Sequence, residues 1–300
     1  MRRSKNKIKD NFQDKIFNIV STLLLAFLGL IVFYPLYFIL IASFSDPMAV
    51  NNGEVLFLPV RISFEGYKSI FQDSRIWTGY LNTFIYTILG TIFGVIITIL
   101  AAYPLSRKEL KGRNVIMILF IITMYFGGGL VPTFLQINKY GLYNTSWIMV
   151  ILGSVSAWNV IVARTFFQNN IPGELFEAAS IDGCGEGRFF ITMVLPLSKA
   201  IIAVIALYIG VMHWNQYFNA MIYLSDADLQ PLQIILRNIL ISNQMVDVTS
   251  VDAANLAERT LLAEYIKYGV VVVSSLPILA VYPFLQKYFV KGVTIGALKG

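Results

Sequence analysis

Residues 177–183 read Glu-Ala-Ala-Ser-Ile-Asp-Gly, and the polar stretch to which they belong continues as far as Leu195-Pro196. We call residues 169–196 the acidic segment. Its charged side chains are those of Glu174, Glu177, Asp182, Glu186 and Arg188. Each charge at the centre of a bilayer would cost roughly 2.5–3.5 kcal/mol. The acidic segment is therefore predicted to lie outside the membrane, although the sequence on both sides of it is apolar enough to cross one.

The composition of the whole chain is that of a membrane protein. Of its 300 residues, 57% are hydrophobic and 13% are charged, and the mean hydropathy is +0.68. Ordinary soluble domains contain about 25% charged residues. We therefore predict an all-α integral membrane protein that crosses the cell membrane several times and is surrounded by lipid.

The charged, cysteine and histidine residues exclude several kinds of site. The net charge is +6, but the basic residues are divided among short loops, which argues against a nucleic-acid partner. The single cysteine, Cys184, cannot form an internal disulfide bond. His213 is the only histidine, so a multi-histidine metal site is excluded and no metal is expected. We interpret His213 as a structural, hydrogen-bonded residue.

Six stretches are long enough to cross the roughly 30 Å of hydrocarbon, which takes about 20 helical residues. These predicted spans are 16–44, 81–103, 115–137, 147–167, 200–224 and 266–290. Gly90 and Gly94, four residues apart in the second span, predict the close approach of a neighbouring helix. Three consecutive glycines, 127–129, each lower helix propensity by about 1 kcal/mol. The third span is therefore expected to be broken in its outer half.

Lysines and arginines are unevenly divided between the two sides of this topology. With the N-terminus inside, sixteen of the 23 lie in cytoplasmic segments, and this excess favours an N-in, C-in orientation. The predicted organisation is a cytoplasmic basic tail (1–15), a six-helix membrane domain (16–290) and a cytoplasmic C-terminal tail (291–300). Two sizeable loops, 45–80 and 225–265, then face an extracytoplasmic partner, while the acidic segment lies in the cytoplasm.

The acidic segment is predicted to form two short helices in an L. Pro172 suits a first helical position, and Glu174 and Glu177 complement the positive end of the helix dipole. Gly183 permits a left-handed turn. A surface helix with Ala178 and Ala179 at its middle suits docking into a groove of another protein, because small side chains allow close approach.

The spacing of this segment resembles a known motif. Glu177-Ala178-Ala179, then Gly183 after three residues, then Met193 and Leu195-Pro196, is similar to the EAA loop of the membrane subunits of bacterial ABC importers. Isoleucine is usual where Met193 stands, and methionine keeps the apolar volume. The likeness covers most of the chain and is strongest to carbohydrate importers, in particular the smaller maltose-type permease and its complex-oligosaccharide relatives. The stretches that carry this likeness are 126–132, 170–172, 181–184, 214–215 and 291–300.

The resemblance implies a type I ABC importer permease with six transmembrane helices, a non-catalytic subunit without a cofactor of its own. ATP and Mg would be bound by two copies of a partner ATPase, and this chain has no Gly-Lys pair with which to build a phosphate-binding loop. A second permease subunit, forming a heterodimer, and an extracytoplasmic binding protein that delivers an oligosaccharide are the other implied partners. The residues implied to couple to the ATPase are Glu177, Ala178, Ala179, Asp182, Gly183, Leu195 and Pro196.

Polar and aromatic residues inside the spans are candidates for the substrate path. Such residues normally face a cavity or a neighbouring helix, because lipid leaves polar groups unpaired. They either stack on sugar rings and bond hydroxyls, or form interhelical hydrogen bonds near the outer interface, and the sequence leaves both interpretations open. The candidates are Trp214, Asn215, Tyr217, Asn219, Trp158, Asn159, Asn82, Tyr86 and Tyr125.

Two other classes of membrane protein compete with the importer permease. A secondary transporter or channel for a small solute predicts charged residues within the spans and often inverted repeats, neither of which the sequence contains. An integral-membrane transferase predicts acids or histidines clustered at one membrane face. The acids of the acidic segment are such a cluster, but their helical spacing fits docking better.

Overall fold

The computed structural model describes residues 11–242, 264–280 and 283, and this described part is helical, with turns between the helices and no strand. The predicted C-terminal tail (291–300), residues 1–10 of the basic tail and much of the 225–265 loop lie outside the described residues. The helices are α1 (Phe12–Ser43), α2 (Pro47–Asn51), α3 (Glu65–Gln72), α4 (Ser74–Ser106), α5 (Arg113–Tyr125), α6 (Leu130–Lys139), α7 (Ser146–Ile151), α8 (Ala157–Asn170), α9 (Gly173–Ile181), α10 (Glu186–Phe189), α11 (Leu195–Leu197), α12 (Lys199–Trp214), α13 (Phe218–Tyr223), α14 (Leu232–Ser242) and α15 (264–280).

The chain forms two compact units, one of residues 1–70 and 243–273 and the other of residues 71–242 and 274–300. In the first unit, α1 begins with a capping box in which the side chains of Asn11 and Asp14 satisfy backbone N–H groups of the first turn. Most of α1 is apolar and exposed, as suits a helix surrounded by lipid or by another subunit. The second unit contains all the candidate site residues described below.

Helix α4 is the central element of the second unit and packs against α7, α8, α12 and α14. Its buried face includes Thr83, Tyr86, Gly90, Gly94 and Thr98, which recur every three or four residues and so lie on one side of the helix. A Cβ atom on Gly90 would lie 2.4 Å from the His213 ring, and one on Gly94 would lie 2.4 Å from the Ser154 carbonyl oxygen. The predicted close approach at these two glycines is confirmed.

Two uninterrupted helices have the length and composition of membrane spans, α1 and α4, among the residues the structure describes. The second span was expected over 81–103, and α4 extends it at both ends. The third is broken as predicted, because α5 and α6 meet at 113° around Phe126 and the three glycines. In the sixth, the helix α15 covers 264–280, and the rest of the predicted span is outside the described residues apart from Pro283.

The stretches predicted as the fourth and fifth spans also contain helix breaks, which were not expected. Residues 152–156 separate α7 from α8, and Gly153 in this break has φ of +84°, a left-handed conformation that ends a helix. Residues 215–217 separate α12 from α13. The continuous helices expected over 147–167 and 200–224 are therefore corrected to two broken pairs.

Asn144 joins the loop before α7 to the chain after α13. Its backbone has φ of +56°, and its Oδ1 accepts hydrogen bonds from the backbone N–H groups of Ser225 (3.0 Å) and Asp226 (2.9 Å). Its own N–H donates to the Tyr223 carbonyl oxygen at 2.9 Å. Asparagine tolerates the left-handed region better than most residues, which explains its use here.

Replacing Asn144 with alanine is expected to lower the stability of the purified protein by about 1 kcal/mol, because two backbone donors lose their acceptor. For a chain of this size that corresponds to a fall in Tm of roughly 2–4 °C in detergent. Asn138→Ala is the matched control, since Asn138 is exposed on α6, and it is expected to change the stability by less than about 0.5 kcal/mol. Equal Tm values for the two variants would contradict the role assigned to Asn144.

Candidate functional site

The acidic segment folds into α9, α10, a π-helical turn (Phe190–Val194) and α11. Pro172 is the residue before α9 rather than its first helical residue, so its expected position is corrected by one. Glu174 lies in the first turn of α9, where it complements the helix dipole. Gly183 has φ of +77°, which confirms the predicted left-handed turn, and the Cys184 N–H closes this turn by donating to the Ala179 carbonyl oxygen at 2.8 Å.

The two faces of α9 have different environments. Leu175, Phe176 and Ala179 face the core of the second unit, where the Phe176 and Phe189 rings meet edge to face at 5.2 Å. Glu177 and Ala178 are exposed on the other face. Of the alanine pair, only Ala178 is therefore on the outer surface, because Ala179 is 8% exposed and packs internally.

An apolar side chain at the end of α9 is also part of this exposed surface. Ile181 is 87% exposed, next to the exposed residues Asp182 and Gly183. Sequence reasoning did not single out Ile181, although its position three residues after Ala178 puts both on one side of the helix. Single exposed apolar residues are common on protein surfaces, and here Ile181 adds an apolar side chain to the exposed acidic face of α9.

The acidic segment is joined to α12 at a sharp bend. Residues Glu186–Leu197 and α12 meet at 78°, with Ser198 at the corner. The fifth span was predicted to begin at Ala200, and α12 begins one residue earlier, at Lys199. Leu195 is half-buried and Pro196 is exposed, on the acidic side of the bend.

Arg107, directly after α4, contacts both helices of the acidic segment. Its guanidinium carbon lies 4.0 Å from the centroid of the Phe176 ring in α9, and its Nη2 lies 3.7 Å from Glu186 Oε1 in α10. The Tyr103 hydroxyl donates a hydrogen bond to Glu186 Oε2 at 3.4 Å. Sequence reasoning used Arg107 only in the count of positive charges, since nothing in its sequence neighbourhood indicates a contact with residues some 70 positions later.

Three of the substrate-path candidates donate hydrogen bonds to backbone carbonyl groups that are far away in the sequence. Asn82 donates from Nδ2 to the carbonyl oxygens of Asp228 (2.7 Å) and Gln230 (3.1 Å). The Tyr86 hydroxyl donates to the Leu229 carbonyl oxygen at 2.9 Å, and the Trp214 indole N–H donates to that of Ser274 at 3.1 Å. For these three residues the geometry favours the packing interpretation.

The environment of Trp214 is apolar. Its ring meets that of Phe84 edge to face at 5.2 Å, and both line a cavity of about 360 Å³ together with Ile88, Gly210 and Pro277. A sugar site needs several polar groups that converge on the ligand. This cavity therefore does not have the lining of a sugar site.

Most of the other candidates lie at or beside the helix breaks. Tyr125 is 78% exposed next to the three glycines, and Trp158 is 56% exposed just after the break between α7 and α8. Asn215 and Tyr217 are exposed in the break between α12 and α13, and Asn215 Nδ2 donates to the Val211 carbonyl oxygen at 2.8 Å. Asn219 is half-buried and Asn159 is buried. These positions leave the exposed members available to a ligand.

A buried polar cluster connects two of these breaks. The His213 ring, 1% exposed, is hydrogen-bonded through Nε2 to Ser154 Oγ (3.2 Å) and through Nδ1 to Gln216 Oε1 (3.0 Å). Ser154 belongs to the break between α7 and α8, and Gln216 to the break between α12 and α13. The hydrogen-bonded, structural interpretation of His213 agrees with this geometry, but its role in holding two breaks together was not predicted.

Metal ligands are not gathered at any of these places. Within residues 11–242 and 264–280, no group of three or more His, Cys, Asp and Glu side chains is arranged to hold a metal ion.

Comparison with known proteins identifies the family. The chain is 36% identical over 290 residues to the polygalacturonan/rhamnogalacturonan transport system permease protein YtcP of Bacillus subtilis, covering 96% of this chain and all of that protein. It is 35% identical over 286 residues to protein LplC of the same organism, covering 95% of this chain and 96% of the relative. No family model matches the chain.

A solved structure agrees with these relatives. The fold matches a chain from the crystal structure of a bacterial ABC transporter involved in the import of the acidic polysaccharide alginate, with a TM-score of 0.83, 32% identity and coverage of 94% of this chain and 100% of that one. The fold is thus that of an ABC importer permease. The chain belongs to the family of sugar ABC importer permeases, membrane subunits that transport rather than catalyse. This membership overturns the secondary transporter, channel and transferase alternatives.

Proposed function

We propose that this chain forms half of the translocation path of an ATP-driven oligosaccharide importer. A second permease subunit supplies the other half, two copies of a cytoplasmic ATPase bind ATP and Mg, and an extracytoplasmic protein delivers the sugar. The subunit itself needs no cofactor. The relatives support the transport class, and the family resemblance of the acidic segment supports the ATPase partner.

The proposed topology has six spans with both termini in the cytoplasm. The tails 1–15 and 291–300 and the acidic segment then share the side that carries sixteen of the 23 lysines and arginines. The loops 45–80 and 225–265 face the binding protein. Three of the six spans are broken helices, and non-helical backbone at membrane depth is tolerated only where it is buried in protein or lines a water-filled cavity.

The observation that carries the coupling role is the two-sided environment of α9. One face is anchored in the core by Phe176 and Ala179, while Glu177, Ala178 and Ile181 are presented to the outside. An anchored helix with an exposed acidic and apolar face docks on a partner as a rigid unit. Asp182 and Gly183 end this docking face, and Leu195 and Pro196 support the bend into α12.

The substrate path is proposed to follow the exposed residues at the helix breaks. Aromatic rings such as Tyr125, Trp158 and Tyr217 stack on the apolar faces of sugars, and the Asn215 side-chain oxygen accepts hydrogen bonds from hydroxyl groups. Asn219 and Asn159 lie near the same breaks in the chain. Asn82, Tyr86 and Trp214 act in the path only indirectly, through the contacts they make within the chain.

The substrate class is proposed to be an acidic oligosaccharide. The relatives at 36% and 32% identity are named for polygalacturonan/rhamnogalacturonan and for alginate, whereas the melibiose/raffinose/stachyose permease MelC of Bacillus subtilis is 29% identical. Polygalacturonan and alginate are polymers of uronic acids. Oligogalacturonates are therefore the first substrates to test, and stachyose is the neutral comparison.

The decisive experiment purifies this subunit in mild detergent with the proteins that accompany it. We expect an ATPase, a second permease and a binding protein, and an ATPase activity that rises when oligogalacturonate and the binding protein are both added. Stimulation by stachyose alone would replace the acidic substrate class with a neutral one. If no ATPase accompanies the purified subunit although the membranes from which it was purified transport the sugar, the proposed function is contradicted.

A further inference from the structure

The long helix α4 connects the acidic segment to the opposite end of the second unit. With 33 residues it is about 50 Å long, and it is the only unbroken helix of spanning length in the described part of that unit. Near its start, Asn82 and Tyr86 are hydrogen-bonded to the backbone of residues 228–230. At its other end Arg107 contacts α9 and α10. A displacement of the acidic segment can therefore reach the far end of the unit along one continuous helix.

The Arg107 side chain is held on two sides. Its guanidinium carbon lies over the Phe176 ring, 4.0 Å from the centroid, while Nη2 lies 3.7 Å from the Glu186 carboxylate, and the side chain is only 14% exposed. Phe176 belongs to α9, whose other face carries Glu177, and Glu186 is the first residue of α10. The Arg107 side chain thus contacts both α9 and α10, the helices on either side of the Gly183 turn.

The backbone around Arg107 is fixed as well. The Leu105 carbonyl oxygen accepts a hydrogen bond from Arg164 Nε in α8 at 2.9 Å, and the Arg107 carbonyl oxygen accepts one from Arg113 Nη1 at 3.2 Å. The end of α4 is therefore tied to α8 and to the start of α5. Because these hydrogen bonds hold the end of α4 in place, a shift of Phe176 or Glu186 is transmitted to α4.

We propose that Arg107 is the positioning residue through which movement of the ATPase-docking helix α9 is transmitted to α4. This inference rests on the proposed function of α9. A planar guanidinium stacks on a ring and pairs with a carboxylate at the same time, whereas a lysine ammonium is a point charge without a stacking plane. A lysine at position 107 keeps the positive charge but loses the stacking contact with the Phe176 ring.

The test uses the complete transporter reconstituted in proteoliposomes, with oligogalacturonate as substrate, or stachyose if that sugar stimulates the wild-type complex. Uptake and ATP hydrolysis are both measured per assembled complex. We expect Arg107→Ala to lower the amount of sugar moved per ATP by about fivefold and Arg107→Lys to lower it by about twofold to threefold, within the range of coupling changes that single residues produce. A purely structural residue would reduce the number of complexes and leave this ratio unchanged.

Glu109→Gln is the matched control. Glu109 Oε2 lies 3.4 Å from Arg107 Nε, but Glu109 is two residues after Arg107 and does not belong to the acidic segment, so its ion pair does not join α9 or α10 to α4. This variant is expected to keep the wild-type ratio. Phe176→Leu removes the ring and leaves Arg107 in place, and it is expected to behave like Arg107→Lys.

An unchanged ratio in Arg107→Ala and Arg107→Lys would overturn the proposal. If Arg107→Ala fails to assemble, Arg107→Lys and Phe176→Leu decide the outcome, and failure of all three to assemble would make Arg107 a folding residue instead. The proposed function fails by a separate result, namely a wild-type complex that has no sugar-stimulated ATPase activity.

Discussion

Replacing Glu177 with lysine is expected to leave the protein inserted in the membrane and assembled, while uptake of the sugar falls at least about thirtyfold. The reason is that a charge pair buried on docking costs about 2–5 kcal/mol when one partner is lost. Glu177 is exposed on the outer face of α9, away from Phe176 and Ala179. The substitution therefore changes the docking surface rather than the core. ATP hydrolysis that persists without transport is the measurement that identifies loss of coupling.

Glu174→Lys is the control for this experiment. Glu174 is also exposed on α9 and lies in its first turn, so its reversal carries a dipole cost of about 0.3–1 kcal/mol, at least as large as that of reversing Glu177 further along the helix. It lies three residues before Glu177, closer to the start of the helix. Normal uptake by the Glu177→Lys transporter would disprove the coupling role, and equal defects in both variants would assign the effect to helix stability.

Replacing Gly94 with alanine is expected to be the most destabilising single-methyl change in the second unit, at about 3 kcal/mol, the upper end of the usual cost of overpacking. The new Cβ would lie 2.4 Å from the Ser154 carbonyl oxygen and 2.9 Å from Ile209 Cδ1. The first of these atoms is backbone within the break between α7 and α8, so it cannot move without disturbing the Ser154–His213 hydrogen bond. The amount of assembled complex and its Tm in detergent are the measurements.

Gly29→Ala is the matched control for Gly94→Ala. Gly29 is also a glycine inside a long apolar helix, α1, and a Cβ there would have nothing within 4 Å. Alanine is the better helix former, so this variant is expected to be neutral or up to about 1 kcal/mol more stable. A Gly94→Ala protein as stable as the Gly29→Ala protein would show that α4 and the Ser154 break do not pack as described.

Local signals predicted part of the fold correctly. The three glycines at 127–129 weaken a helix through their own backbone entropy, so the break in the third span was predictable from composition alone. Gly153 is one glycine in an apolar stretch, which membrane helices ordinarily tolerate. Its break is accompanied by the His213–Ser154 contact between residues 59 positions apart, and no local pattern reports such a contact.

The candidate site, like the fold, was predicted only in part from the sequence. The spacing of Glu177, Gly183 and Pro196 identified the acidic segment and the family resemblance. It did not distinguish the exposed Ala178 from the buried Ala179, and it did not find Ile181 or Arg107. The aromatic and amide candidates were chosen by residue type, and residue type does not separate Trp214, with its indole N–H bonded to Ser274, from Tyr217, which is exposed.

By itself, the sequence determined the class of this protein. Its hydropathy requires a membrane, its charges exclude the acidic segment from that membrane, and the spacing within that segment matches the importer motif. Only the tertiary structure decided which side chains are available for function. Arg107 meets Phe176, and His213 meets Ser154 and Gln216, because α4, α8 and α12 pack together. Contacts of this kind depend on helix packing, which joins residues far apart in the chain and leaves no periodic signal along it.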